Sequence, residues 1–235
     1  MLKKEGQIRI PSGCAISGII HKKGRPVING SQIVDSIAVM HDRSNGLGGG
    51  FAGYGIYPEY ADSYAFHVFY DDFKARQETE RYLDKYFDVV NLSRIPVRKN
   101  KNIKDEPLIW RYFVDPIFTK IQEEKGEIDE EKFIVDTVFY INTYIDGAYI
   151  FSSGKNMGVF KAVGFPEDVG DFSSLKNMTA TAGPRTGATR PIRRAGGEEL
   201  IPLPFWITPL SITGKFPPTM QTGVLLRCSI INAPS

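Results

Sequence analysis

The chain has 235 residues, 42% of them hydrophobic and 12% aromatic, with a formal net charge of +2, the composition of a core-forming globular protein of one sizeable domain. No apolar run approaches the roughly 18–20 residues of a membrane span, and Lys3 and Lys4 lead into no apolar stretch that would make a secretory signal. Two cysteines far apart form neither a disulfide framework nor a metal spacing, which excludes a cysteine-stapled secreted domain and points to the cytoplasm.

The stretch Ile10-Pro-Ser-Gly-Cys-Ala-Ile-Ser-Gly-Ile-Ile20 sets Cys14 after Gly13, at the head of a strand expected over 14–21. A thiol there, freed by removal of a leader spanning 1–13, could use its own α-amino group as general base. That is N-terminal nucleophile chemistry. Asn29, Gly30 and Ser31 then offer an N-cap, and Ile33, Ile37, Ala38 and Met40 recur at helical spacing to about His41. A glycine-dense loop follows from Asn45 to Gly55.

Ser63 to Tyr70 is rich in β-forming residues and reads as a strand. Asp71 or Asp72 caps a charged helix to about Phe87, and Val89 to Val97 reads as a further strand, ended by basic residues at 98–104. Pro107 opens a predicted helix with a mixed apolar face of Leu108, Trp110, Phe113 and Ile117. Another helix is expected from Glu130 to Tyr144. Residues 148–152 and 159–163 read as the two arms of a hairpin. The irregular alternation of strands and helices favours an α+β class over a parallel βαβ sheet.

The glycine loop suggests a phosphate cradle, because backbone N–H groups in such turns bind anions. No Gly-Lys-Ser/Thr follows it, and the same glycines would equally let two backbones pass closely. His21, His41 and His67 are isolated and read as structural or surface residues. Cys228 has no role. No metal site and no cofactor are expected in this chain.

Residues 1–172 carry 22 basic and 25 acidic groups, whereas 173–235 carry 7 and 2, together with 8 of the 15 prolines. A basic tail could be a nucleic-acid arm, but Leu-Ile-Pro-Leu-Pro-Phe-Trp-Ile (200–207) is unlike a solvated arm, so neither nucleic acid nor a membrane is expected as a partner.

Several separated segments agree, in order, with one family. The stretch at 10–18, Met40-His-Asp-Arg-Ser-Asn-Gly-Leu-Gly-Gly-Gly-Phe51, Tyr54-Gly-Ile-Tyr-Pro58, Tyr64-Ala-Phe-His67 and Ser152-Ser-Gly-Lys-Asn-Met-Gly-Val-Phe-Lys161 resemble the class II glutamine amidotransferase domain. Within that family they look like the stand-alone glutaminase subunit of archaeal-type glutamate synthase. The resemblance implies an N-terminal nucleophile fold, a four-layer αββα sandwich over 14–172 that is incomplete here.

It also implies Cys14 as the catalytic nucleophile, a nearby loop with Arg43, Asn45, Gly46 and Gly48, glutamine as substrate, and synthase-domain and iron-sulfur subunits on other chains. The family's carboxylate-binding His-x-Arg-x-Pro-Thr segment and its His-Asn-Gly oxyanion segment are missing from this chain.

Joining each codon's third base to the next codon's first two rereads the tail. Across Arg185–Arg190 this allows His-Gly-Arg-Tyr-Pro, across 190–203 Thr-Asn-Thr-Pro-Gly-Trp-Trp-Gly-Gly-Ala-His-Pro-Phe, and across Leu210–Lys215 Val-His-Asn-Gly-Glu. Some steps are nearly forced: Phe205-Trp206 can give only Leu, and Trp206-Ile207 only Asp. A frameshift near Ser173–Leu175, in the gene or its sequencing, is therefore expected, leaving 173–235 as an out-of-frame, disordered tail and the chain as written with little or no activity. The alternatives are a non-catalytic remnant or regulatory partner, and an N-terminal nucleophile amidohydrolase acting on another amide.

Overall fold

A computed structural model describes residues 15–20, 28–44, 46–103, 106, 108–127, 129–180, 192–193, 199–200 and 205–209. The strands are β1 (Ile16–Ile20), β2 (Ile28–Asn29), β3 (Gly49–Tyr54), β4 (Tyr64–Tyr70), β5 (Phe87–Arg94), β6 (Leu108–Pro116), β7 (Ala148–Lys155), β8 (Met157–Ala162), β9 (Thr179–Ala180), β10 (Ile192–Arg193), β11 (Glu199–Leu200) and β12 (Phe205–Pro209). The helices are α1 (Gly30–Ala38), α2 (Phe73–Tyr86), α3 (Phe118–Lys125), α4 (Glu130–Tyr144) and α5 (Pro166–Phe172). This is an α+β protein with antiparallel sheets. Sheet 1 has the order β1-β12-β3-β8 and sheet 2 the order β5-β6-β4-β7; β2-β9 and β10-β11 are small pairs.

Three helices begin where a short polar side chain satisfies a free N–H of the first turn. Asn29 accepts from Ser31 N ahead of α1, Asp72 from Ala75 N at α2, and Asp129 from Lys132 N at α4.

The central strands of sheet 2 are buried on both faces. Along β4, Tyr64, Phe66, Val68 and Tyr70 pack with Leu83 of α2 and with Phe133 and Ile141 of α4, while Ala65 joins Ile33, Phe51 and Phe172 in a second core. On β6, Tyr112 and Val114 point into the first of these cores, Ile109 and Phe113 into the second. This alternation overturns the expected helix at 107–117. Apolar side chains on both faces hide the period-2 signal and leave a spacing that mimics a helix.

The expected hairpin of 148–152 and 159–163 is also corrected. β7 pairs with β4 in sheet 2 and β8 with β3 in sheet 1, so the chain changes sheet at Asn156 (φ 50°). Asn tolerates that left-handed backbone better than most residues. Its carbonyl accepts from Gly55 N (2.7 Å) and its side chain from Tyr57 N (3.0 Å), which ties the crossing to the end of β3.

Register divides sheet 1 into two faces. Ser17, Phe51 and Gly158 lie on one: the Ser17 hydroxyl bonds that of Ser36 on α1, Phe51 packs on Gly170 of α5, and Gly158 abuts His67 of sheet 2. The other face carries Ile16 and Ile20, 66% and 54% exposed, with Ala52, Tyr54, Val159 and Lys161 half-buried.

The packed fold runs past 172: Leu175 and Ala180 are fully buried, and Gly30 N bonds Met178 O at 2.9 Å. Within the tail expected to lack order, β12 pairs with β1 on one side and β3 on the other. Its Phe-Trp-Ile-Thr sequence is strongly β-forming.

Candidate functional site

Three of the sequence segments singled out above close around one histidine. His67 on β4 is fully buried. Its Nδ1 lies 2.8 Å from the Val159 carbonyl of β8, which can only accept, so Nδ1 carries the proton. Nε2 is then an acceptor, and the Tyr57 hydroxyl donates to it at 2.9 Å.

Burial pushes the imidazole down to about 3, opposed by the Val159 carbonyl bond and reinforced by the Arg111 charge. Burial also raises Tyr57, so both groups stay neutral near pH 7. A Cβ on Gly158 would stand 2.6 Å from His67 Cε1 and 3.0 Å from the Tyr57 hydroxyl, which is why glycine occupies that position. Segments 54–58, 64–67 and 152–161 are thus bonded to one another, and His67 is structural. Full burial and a lowered pKa make this imidazole a poor base.

Arg111 flanks this group. Its Nη2 donates to Ser93 Oγ at 3.0 Å, its guanidinium stands over the Tyr57 and Phe113 rings at 4.9 and 5.1 Å, and its buried Nε has no partner among the described residues. Ser93, Arg111, His67 and Ser152 are in register across sheet 2, a polar row in an otherwise apolar interior.

The remaining segments meet at one end of sheet 1. β1 and β3 both run antiparallel to β12 and hence parallel to each other, and β8 runs antiparallel to β3. The beginnings of β1 and β3 and the end of β8 therefore share an edge. Ala15, the residue after Cys14, packs there against the core.

The 3-10 turn His41–Arg43 and buried Ser44 lead into β3, and Ser44 Oγ accepts from Gly46 N at 3.3 Å. Gly46 (φ 70°) lies where a Cβ would be 2.9 Å from the Phe165 ring. That positive φ suits glycine, and so does the close approach. The His41 ring stacks on Phe165 (centroids 4.2 Å apart, 21° between planes), and its Nδ1 bonds Glu167 Oε1 on α5. Glu167 Oε2 is buried without a partner among the described residues. Lys161, one residue before the end of β8, is held below the usual lysine range by burial.

Cys14, Asn45, His21 and Cys228 lie outside the described residues, as do the expected leader and most of the tail. Arg43 is exposed, while Gly46 and Gly48 are half-buried in the turn before β3. Phe165, Glu167 and Lys161 were not singled out as site residues by sequence reasoning, since an apolar-acidic turn before a short helix carries no motif. Among the described residues no cluster of three or more His, Cys, Asp or Glu could hold a metal, and no helix is long and apolar enough to cross a membrane.

No family model matches the chain. It is similar to an uncharacterized protein of Archaeoglobus fulgidus, 46% identical over 164 residues, which cover 69% of this chain and 42% of that protein. The matched region thus spans less than half the length of that relative and leaves nearly a third of this chain outside it.

Proposed function

We propose that the chain carries the glutaminase part of a class II glutamine amidotransferase, the ammonia-producing subunit of a cytoplasmic glutamate synthase, with Cys14 as nucleophile. One observation carries the reading: β1, which follows Cys14, and β3, which forms a strand from residues 49–54 of the expected glycine loop, begin at the same end of sheet 1 with β12 between them. Segments some 30 residues apart in sequence would then build one site. The bonded group around His67 supports it further, because three of the other resembling segments have a shared structural reason to occur together.

In this reading the Cys14 thiolate attacks the carboxamide carbon of glutamine. The free α-amine, of ordinary pKa near 8, takes the thiol proton and passes it to the departing ammonia. Water hydrolyses the thioester to glutamate, and the ammonia is used by a synthase domain on a partner chain.

The chain as written lacks the arginine for the carboxylate and the Asn-Gly pair for the oxyanion, and loss of one such donor alone can cost roughly 10²–10³ in rate. Full expression of the four-layer sandwich would need the segments that the shifted frame encodes. The second reading, that this chain is a non-catalytic remnant or a regulatory partner, rests on those missing segments.

Glutaminase assays on the chain as given and on a version with the frame restored after about Ser173 separate the two. Hydrolysis by the restored chain that vanishes with Cys14→Ala is the expected result. A restored chain that leaves glutamine intact, with residues 1–13 removed, would sink the proposal.

A further inference from the structure

α1 and α5 lie side by side in opposite directions. A Cβ on Gly30 would meet the Leu175 carbonyl, Gly170 lies against Val34, and His41, just past α1, reaches Phe165 and Glu167 at the start of α5. The start of α5 is in turn at the start of β3, where a Cβ on Gly49 would stand 3.1 Å from Pro166 Cα. The bond between the Ser17 and Ser36 hydroxyls ties the second half of α1 to β1. α1 thus runs back towards the edge of sheet 1 at which β1 and β3 begin, and it brings His41 to the end where Ala15 follows Cys14.

His41 is held there as an oriented base would be. Glu167 Oε1 bonds its Nδ1, and an ionised carboxylate only accepts, so Nδ1 carries the proton. The stack on Phe165 fixes the plane of the ring. Nε2 has no hydrogen-bond partner among the described residues, and the side chain is 50% exposed. His67 is the contrast, with both of its nitrogens bonded in the interior. Glu167 Oε2 is buried without a partner among the described residues, so this carboxylate is committed to His41.

On the glutaminase reading, on which this step rests, Cys14 must first be freed from Gly13. Until then its nitrogen is an amide and cannot serve as base, so another group must. We infer that His41, oriented by Glu167, is the base that frees Cys14. Nε2 takes the thiol proton, and the thiolate attacks the Gly13 carbonyl carbon, forming a C–S bond. The C–N bond between Gly13 and Cys14 breaks, and the imidazolium gives its proton to the departing nitrogen, which becomes the α-amine. Water then hydrolyses the Gly13 thioester, leaving a carboxyl group on residue 13 and a thiol on Cys14. Glu167 is a positioning residue, which sets the tautomer of His41 and stabilises the imidazolium. Once free, the α-amine takes over as base, so His41 belongs to maturation and not to turnover.

The test is self-release of residues 1–13 by the full chain, made in a purified translation system and followed by intact mass. Release should be first order, unchanged by dilution and absent in Cys14→Ala. His41→Ala should slow it by about 10²–10⁴-fold, the usual contribution of a positioned base, and His41→Gly should regain part of the rate with added imidazole. Glu167→Gln keeps an acceptor for the Nδ1 proton without the charge, and its rate should fall between those of the parent and Glu167→Ala.

Release by His41→Ala at the parental rate would overturn the inference. So would a slow His41→Gly that imidazole does not restore, which would make His41 structural, and so would a parent chain that keeps residues 1–13. The two readings fail separately. A frame-restored chain begun at Cys14 that hydrolyses glutamine, beside a full chain that keeps its leader, removes this inference alone. His41-dependent release in a frame-restored chain that then hydrolyses no glutamine removes the catalytic reading alone.

Discussion

The Tyr57 hydroxyl and His67 Nε2 are joined by a 2.9 Å hydrogen bond between a turn leaving sheet 1 and a central strand of sheet 2. Both partners are buried, so neither can turn to water if the other is lost. Tyr57→Phe keeps the ring against Phe113 and removes only the donor. The expected loss is about 1–3 kcal/mol, the usual cost of a buried acceptor left unpaired, read as a lower urea midpoint with an unchanged slope.

His67 gives stability a pH dependence of known sign. Unfolded, the imidazole takes a proton near its ordinary 6.5; folded, burial holds it to about 3. The unfolded chain therefore binds more protons throughout that interval, and stability falls as pH drops from 6.5 towards 3, by up to ~1.4 kcal/mol per pH unit. Urea midpoints at pH 7.5 and 5.0 should differ more for the parent protein than for His67→Gln. Equal pH dependence of the two would show that His67 does not hold this proton off.

Gly158→Ala places a methyl group 2.6 Å from His67 Cε1 and 3.0 Å from Ile56 Cδ1. The imidazole, the nearer of the two, cannot move aside because it is fixed by two bonds. A cost of roughly 1–3 kcal/mol is expected from overpacking, and thermal unfolding measures it. Gly126→Ala serves as the contrast: it shares the methyl group, meets nothing within 4 Å, and pays only for its positive φ.

Gly46→Ala combines a left-handed backbone (φ 70°) with a Cβ 2.9 Å from the Phe165 ring. Backbone strain of this kind costs roughly 1–3 kcal/mol. The substitution should also release the His41 stack, so hydrogen exchange ought to quicken at 44–50 and 165–168 before it changes in sheet 2. Uniform acceleration across both sheets would argue against a local effect.

The sequence was most readable where one face of an element meets water. α2, capped by Asp72, and α4 lie within a residue or so of the bounds expected for them. β6 was not readable as a strand, because Trp110 and Tyr112 on one face and Ile109 and Phe113 on the other leave no polar phase to count. The path of β7 and β8 was hidden for another reason: Asn156 resembles any turn residue until Tyr57 and Gly55 are seen to bind it. At the site, glycines 46 and 49 announced a close approach without naming Phe165 and Pro166 as what approaches.

The position of β12 has a consequence for the order in which the molecule assembles. Ile16 and Pro209 are paired although they stand 193 positions apart, and β12 is the sole strand partner of β1 among the described residues. As the chain leaves the ribosome, sheet 2 can close once residues 148–155 have emerged, whereas β1 waits for residues 205–209. Closing so large a loop is slow, since its entropy is lost before the contacts repay it. Any alteration that delays or garbles the residues after about 173 therefore strikes first at the strand next to Cys14, which is made well before its partner strand and secured only when that partner arrives.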